Sequence, residues 1–128
     1  MNGNHRRPVV AGNWKLNKTL AEACQTARDL KGRLAAARNC DVIIAPVFTA
    51  LSQVREALEA SGIGLCAQDV FAQDQGAFTG EVSAPLLKDV GCKYCIVGHS
   101  ERRHLFGETD DMVQAKVSAL LGHELGYG

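Results

Sequence analysis

Tyr94-Cys95-Ile96-Val97-Gly98-His99-Ser100-Glu101-Arg102-Arg103-His104 is the stretch that decides the fold. It opens as a short apolar run, the pattern of a strand buried in a parallel sheet. Gly98 breaks the run and delivers His99, Ser100 and Glu101 in immediate succession. In α/β folds, chemistry collects where strands reach the C-terminal edge of the sheet. A histidine placed there can donate to, or take a proton from, a small polar substrate near neutral pH. The plain alternative is a helix-capping turn that carries an incidental histidine.

Three further apolar runs lie upstream. Pro8-Val9-Val10-Ala11-Gly12 reads as a first buried strand, with Asn13 and Lys15 at its end. Strand side chains alternate in direction, so Asn13 and Lys15 point the same way if the extension persists. Asp41 to Ala45, closed by Pro46, is the second strand, and Ile63 to Ala67 the third. Leu20, Ala23, Cys24, Ala27, Leu30 and Leu34 recur at helical spacing and predict a helix from about Leu20 to Ala37. A second helix spans about Ser52 to Ala60 and stops at Ser61-Gly62. Gln68 to Val82 is a long polar loop, of a length usually tied to function or to a partner. Ser83 is placed to cap a short helix, Ala84 to Val90, with Pro85 in its first turn.

The quoted run, from about Lys93 to Val97, is then the fourth strand. A last helix starts near Asp110 or Asp111, capped by Thr109, with Val113, Val117, Leu120, Leu121 and Leu125 on its apolar face. The sequence stops at Gly126-Tyr127-Gly128, where a fifth strand is due. Four strands alternating with four helices make an α/β protein with a parallel sheet and right-handed crossovers.

Composition narrows the function classes. The chain has 128 residues, 46% hydrophobic and 22% charged, which suits a soluble globular domain with a moderate core. Fourteen basic residues balance fourteen acidic ones, so nothing in the charge points to nucleic acid or a membrane surface. The longest apolar runs are far too short to span a bilayer. Met1 to Arg7 is polar with no apolar region behind it, and reads as a frayed start without a secretion signal.

Two motif matches fail on context. The five cysteines are odd in number and sit mostly in apolar surroundings, as reduced thiols of a cytoplasmic protein do. Cys92-Lys93-Tyr94-Cys95 matches C-x-x-C, but it leads into a strand and has no second pair, which fits neither a redox helix nor a zinc site. Gly62 to Ala67 fits G-x-G-x-x-[GA] only superficially, because its glycines follow a helix and enter a strand.

Parallel strands place their C-terminal ends on one face, so Asn13, Lys15 and His99 can converge there. Lys15 can attract a phosphate or stabilise another developing negative charge as a compact cation. Asn13 can donate to a carbonyl oxygen, and a neutral His99 can do the same while shuttling a proton between two oxygens. Glu101 can pair with Lys15 and hold it. Taken singly, each has an ordinary explanation: a solvated charge, a surface acid, a turn residue.

Three motifs change that weighting. Gly12-Asn13-Trp14-Lys15 reads G-N-W-K, Gly76 to Glu81 reads G-A-F-T-G-E, and Val97 to Arg103 reads V-G-H-S-E-R-R. In this order and approximate spacing they resemble the triosephosphate isomerase family, from Arg7 onward. The resemblance implies a (β/α)8 barrel, which needs about 250 residues. Residues 1–128 are therefore expected to form one N-terminal half-barrel domain.

The implied reaction is interconversion of dihydroxyacetone phosphate and glyceraldehyde 3-phosphate through an enediolate, a step of glycolysis and gluconeogenesis, without cofactor or metal. By motif matching, Asn13 and Lys15 take substrate-binding roles, Lys15 and His99 catalytic ones, and Glu101 a supporting one. The family itself is a standard example of a glutamate base working with a neutral histidine. That base, its closing lid and the main phosphate loops belong to the family's second half, so these residues alone are expected to be inactive. Glu108 and Asp110 lie near His99 in sequence, but in the family this segment closes a turn. Gly76, Phe78, Thr79, Gly80 and Glu81 match the family's dimer-contact loop. The implied partners are a triose phosphate and either a second copy or a complementing second half. The alternatives are a non-catalytic half-barrel that self-associates, and a site completed by a second chain.

Overall fold

Parallel hydrogen bonding joins five strands in sequence order: β1 (Val9–Asn13), β2 (Asp41–Ala45), β3 (Gly64–Ala67), β4 (Tyr94–Cys95) and β5 (Gly126–Tyr127). The computed structural model describes residues 6–37 and 39–127. Residues 1–5, the start of the segment read as frayed, lie outside the described residues. The helices are α1 (Leu20–Arg33), α2 (Leu51–Ala57), α3 (Ala84–Asp89), α4 (Ser100–Phe106) and α5 (Asp110–Gly122), with a 3₁₀ turn at Phe48–Ala50 ahead of α2. No helix among the described residues is long and apolar enough to cross a membrane.

The inner strands bury residues on both faces because their side chains alternate. Ile44, Leu65, Ala67 and Cys95 face the helices and join the main core with Ala23, Ala27, Val54, Leu87 and Leu120. Ile43, Ala45 and Cys66 face the other way and pack with Tyr94 and Ile96 on the concave side. Tyr94 fits there because Gly64 and Gly126 flank it: a Cβ on Gly126 would lie 2.7 Å from its ring.

The expected four-strand, four-helix count becomes five and five. The fifth strand is the pairing of Gly126 and Tyr127 with Tyr94 and Cys95. The added helix is α4, where the sequence suggested only a turn. It buries none of its residues, so it carries no apolar stripe to read. It is defined by its ends instead: His99 caps the start, and Gly107, at φ +68°, returns its N–H to the Arg102 carbonyl.

Other boundaries shift too. α1 stops at Arg33, short of Ala37, with Gly32 in its last turn; α2 is a seven-residue helix. β4 has only two paired residues. Val9 and Val10, expected to be buried, are 58% and 57% exposed, because β1 is an edge strand that, among the described residues, pairs with β2 alone. Thr19 and Glu22 form a reciprocal capping box on α1, and Thr109 caps α5. Ser83 stands at the N-cap position of α3, but its hydroxyl makes no capping bond and is buried without a partner.

The long 68–82 segment is closed on itself. Phe71 donates its N–H to Val82 at 2.8 Å, Phe71 and Ser83 form a parallel bridge, and the Phe71 and Phe78 rings meet at 4.5 Å. His123 at the end of α5 lies 2.9 Å from Asp74 and ties the loop to that helix.

Candidate active site

The C-terminal edge of the sheet gathers Asn13, Lys15, His99 and Glu101. Lys15 does not arrive there by strand alternation, since β1 ends at Asn13 and Lys15 turns to φ +56°. That left-handed conformation is uncommon for a residue with a Cβ. It is held from both sides: the Lys15 N–H donates to Asn13 Oδ1 at 2.9 Å, and Gln68 Nε2 donates to the Lys15 carbonyl at 2.9 Å. The turn sends the Lys15 ammonium to Glu101 Oε1 at 2.8 Å. The hydrogen bond from Lys15 holds the Glu101 carboxyl below the ordinary carboxylate range against the opposing effect of burial, and the Lys15 charge adds a smaller lowering.

His99 occupies the N-cap position of α4, and its Nδ1 accepts the Glu101 N–H at 3.1 Å. The plain alternative, a capping histidine, is thus part of the truth. The cap also has a chemical consequence, because a nitrogen that accepts cannot carry the ring proton. The neutral ring therefore carries it on Nε2, leaving Nε2 as a donor. Glu101 Oε2 stands 3.7 Å from Nδ1, beyond hydrogen-bonding distance.

Beneath His99 lies a network that the sequence did not suggest. Glu108, 4% exposed, accepts the Gly98 N–H on Oε1 at 2.9 Å, and on Oε2 both Arg102 Nε at 2.9 Å and Lys116 Nζ at 2.7 Å. Lys116, 5% exposed, also donates to Asp69 at 2.8 Å. Burial pushes the Glu108 carboxyl up, but its bonds to Lys116 and Arg102, the Lys116 charge and the Gly98 N–H together hold it below its ordinary value. Burial likewise pulls Lys116 down, and its two carboxylate partners lift it above its ordinary value. Glu108 is therefore an occupied structural anion. Its signal in the sequence was Lys116, a charged residue lying in the stripe of Val113 and Leu120.

Gly76, Thr79, Gly80 and Glu81 are exposed, and Phe78 is half-buried against Phe71. No hydrogen bond or ion pair joins this segment to Lys15, His99 or Glu101 among the described residues. No group of three or more His, Cys, Asp or Glu among the described residues is arranged to hold a metal ion.

The family model for triosephosphate isomerase matches residues 8–127. Two curated relatives are the triosephosphate isomerases of Pelobacter propionicus, 55% identical over 89% of this chain and 45% of its own length, and of Syntrophotalea carbinolica, 54% identical over 91% and 46%. The chain thus spans about half the length of the curated relatives it matches. A crystal structure of triosephosphate isomerase from Bartonella henselae superposes with a TM-score of 0.89 at 36% identity, covering 95% of this chain and 50% of that one. The five parallel strands and their helices correspond to half of that barrel.

Proposed function

The chain belongs to the triosephosphate isomerase family, and on that premise we propose that the C-terminal edge of its sheet is one side of a site interconverting dihydroxyacetone phosphate and glyceraldehyde 3-phosphate. The observation that carries this reading is the convergence of the Lys15–Glu101 pair with a His99 whose Nδ1 is already occupied. Lys15 attracts the substrate phosphate and stabilises negative charge developing on the enediolate. His99 Nε2–H and Asn13 Nδ2 donate to the two oxygens between which the proton moves, and Glu101 orients Lys15 from outside the reacting atoms. None of these groups is a free carboxylate base, and Glu108 is bound by three donors. A proton-abstracting group therefore comes from outside this constellation.

Two measurements test the reading. Dihydroxyacetone phosphate titrated into the isotope-labelled chain is expected to shift the Lys15 and His99 resonances. No response, or the same response in Lys15→Met, overturns it. In the isomerase assay these 128 residues alone are expected to turn over at least about 10²-fold below an intact enzyme, since a positioned general base contributes roughly 10²–10⁴-fold. Near-native turnover that His99→Ala abolishes would show that the base lies within this chain.

We also propose that residues 1–128 form one half-barrel domain that associates with a second copy or a complementing half. β1 and β5 are the edges of the sheet, and each offers unpaired backbone groups. Leu16, beside the site, is 93% exposed. The 76–81 loop supplies a second contact, reaching the partner near its Lys15. Sedimentation equilibrium over a wide concentration range checks this. A cooperatively folded monomer at high concentration refutes association, and a dimer unaffected by replacing residues 76–80 refutes the loop contact. Five free cysteines fit a reducing cytoplasm as the compartment.

A further inference from the structure

We propose that Gln68 is a positioning residue that sets Lys15 in the site, a role that rests on the substrate-binding reading of Lys15 above. Gln68 stands one residue past β3 and spends its side-chain amide on two carbonyls: Nε2 donates to Lys15 O at 2.9 Å and to Ala45 O at 2.8 Å. Both partners only accept, so the NH₂ end must face them, and both of its hydrogens are used. The Ala45 carbonyl also accepts the Trp14 N–H at 3.1 Å, which makes the end of β2 the fixed point of the arrangement.

Gln68 is itself rigidly held. Ala67 before it is fully buried, and Asp69 after it is ion-paired to Lys116 and Arg102. The effect falls on the one backbone unit of the site that needs support. Lys15 is a non-glycine residue at φ +56°, a conformation that L side chains disfavour. Asn13 holds its N–H and Gln68 its C=O. Without the second hold, the peptide after Lys15 is free to rotate, and Lys15 relaxes toward φ below zero. Its ammonium then leaves the position opposite Glu101, where the site needs the charge.

The substitution that isolates this role is Gln68→Met, which keeps length and volume but removes both donors. Gln68→Glu is the harsher variant, because it aims a carboxylate at two carbonyl oxygens. In the full 128-residue chain, the Lys15 Cα and carbonyl carbon shifts and its HN–Hα coupling are expected to leave left-handed values in both variants. The amide signals of Val42, Ile43 and Leu65, away from the substituted side chain and its two acceptors, stay in place. The dihydroxyacetone phosphate concentration needed to shift His99 rises about tenfold or more. Unchanged Lys15 backbone shifts in a folded Gln68→Met overturn the proposal, whatever happens to binding. If the unmodified chain does not respond to dihydroxyacetone phosphate, the functional reading falls, while the Lys15 shifts still decide the role of Gln68. Should Gln68→Met fail to fold, the unmodified chain supplies the decision. Through-hydrogen-bond couplings from Gln68 Nε2 to the carbonyl carbons of Lys15 and Ala45 are expected, and their absence overturns the proposal.

Discussion

Lys15 Nζ meets Glu101 Oε1 at 2.8 Å across 86 residues of chain, joining the turn after β1 to the first turn of α4. Both side chains are about half exposed, at 51% and 45%, so water screens the pair and it adds little to folding. Its consequence is local: it aims the ammonium. Glu101→Gln is expected to leave the unfolding midpoint nearly unchanged while broadening the distribution of Lys15 conformers in NMR. The Glu101 carboxyl is held low, so the contribution of the pair is present above the unfolded glutamate value of about 4.3. It is lost only as pH falls through the lower folded value. A carboxyl titration followed by ¹³C shifts, giving Glu101 an ordinary glutamate value, would refute this.

The buried pair behaves differently. Glu108→Gln turns an NH₂ toward Arg102 or Lys116 and leaves the buried Lys116 ammonium with Asp69 as its remaining carboxylate, which is expected to cost less than the roughly 3–5 kcal/mol of a fully stranded charge. Lys116→Met leaves Glu108 in the same position, with Arg102 and the Gly98 N–H as its remaining donors. The double variant is expected to lose less than the sum, since it removes both ends of the Lys116–Glu108 contact and leaves Arg102 paired with Asp69. Urea unfolding of the four proteins checks this, and additive losses would show that the two residues act separately. The pH signs are opposite for the partners. Glu108 stabilises above about pH 4.3 and fades as pH falls through its depressed folded value, whereas Lys116 stabilises below about pH 10.4 and fades as pH rises through its raised one.

Gly98 and Gly107 make an internal comparison. Both have left-handed backbones, at φ +64° and +68°, but a Cβ on Gly98 would stand 3.1 Å from Val113 Cγ2 while one on Gly107 would meet open space. Gly107→Ala is expected to cost about 1–2 kcal/mol for the backbone conformation alone. Gly98→Ala adds crowding against α5 and displaces His99, so it is expected to unfold at lower urea and to shift the His99 ring signals. Equal midpoints for the two variants would show that Val113 yields freely.

The apolar runs were legible because a parallel strand needs little else. Val42 to Ala45 and Leu65 to Ala67 announce themselves, and both pair where expected. Exposure was not legible in the same letters, since Val9 and Val10 look like core whether or not a neighbour covers them. α4 was hidden because seven residues without a buried face show no period. The site residues were visible as motifs, but not the manner of their meeting. A left-handed lysine carries no local signature, and one of the two hydrogen bonds on its backbone comes from Gln68, 53 residues away. Glu108 was visible only through its partner, since a lysine amid Val113 and Leu120 requires a buried anion.

Three of the four buried thiols set the behaviour of the chain in alkali. Burial pushes Cys66 and Cys92 up to about 12, and Cys95 is raised as well, first by burial and then by neighbouring groups. Their thiolate fractions at pH 8 are negligible, so a disulfide reagent is expected to modify half-buried Cys40 first. Cys66, Cys92 and Cys95 react only when the chain opens. The same shifts govern stability, because a raised thiol favours the folded state fully below the unfolded value of about 8.5. Above that pH the unfolded chain ionises and the folded one does not, so stability declines up to about 12. Lys116 adds its own loss, but only from about pH 10.4 upward. The two sources therefore separate on the pH axis. Cys66→Ala is expected to flatten the decline between about pH 8.5 and 10 while leaving the steeper fall beyond it. An identical slope in that window, or Cys66 reacting as fast as Cys40 in the folded chain, would show that the thiol is reached by water.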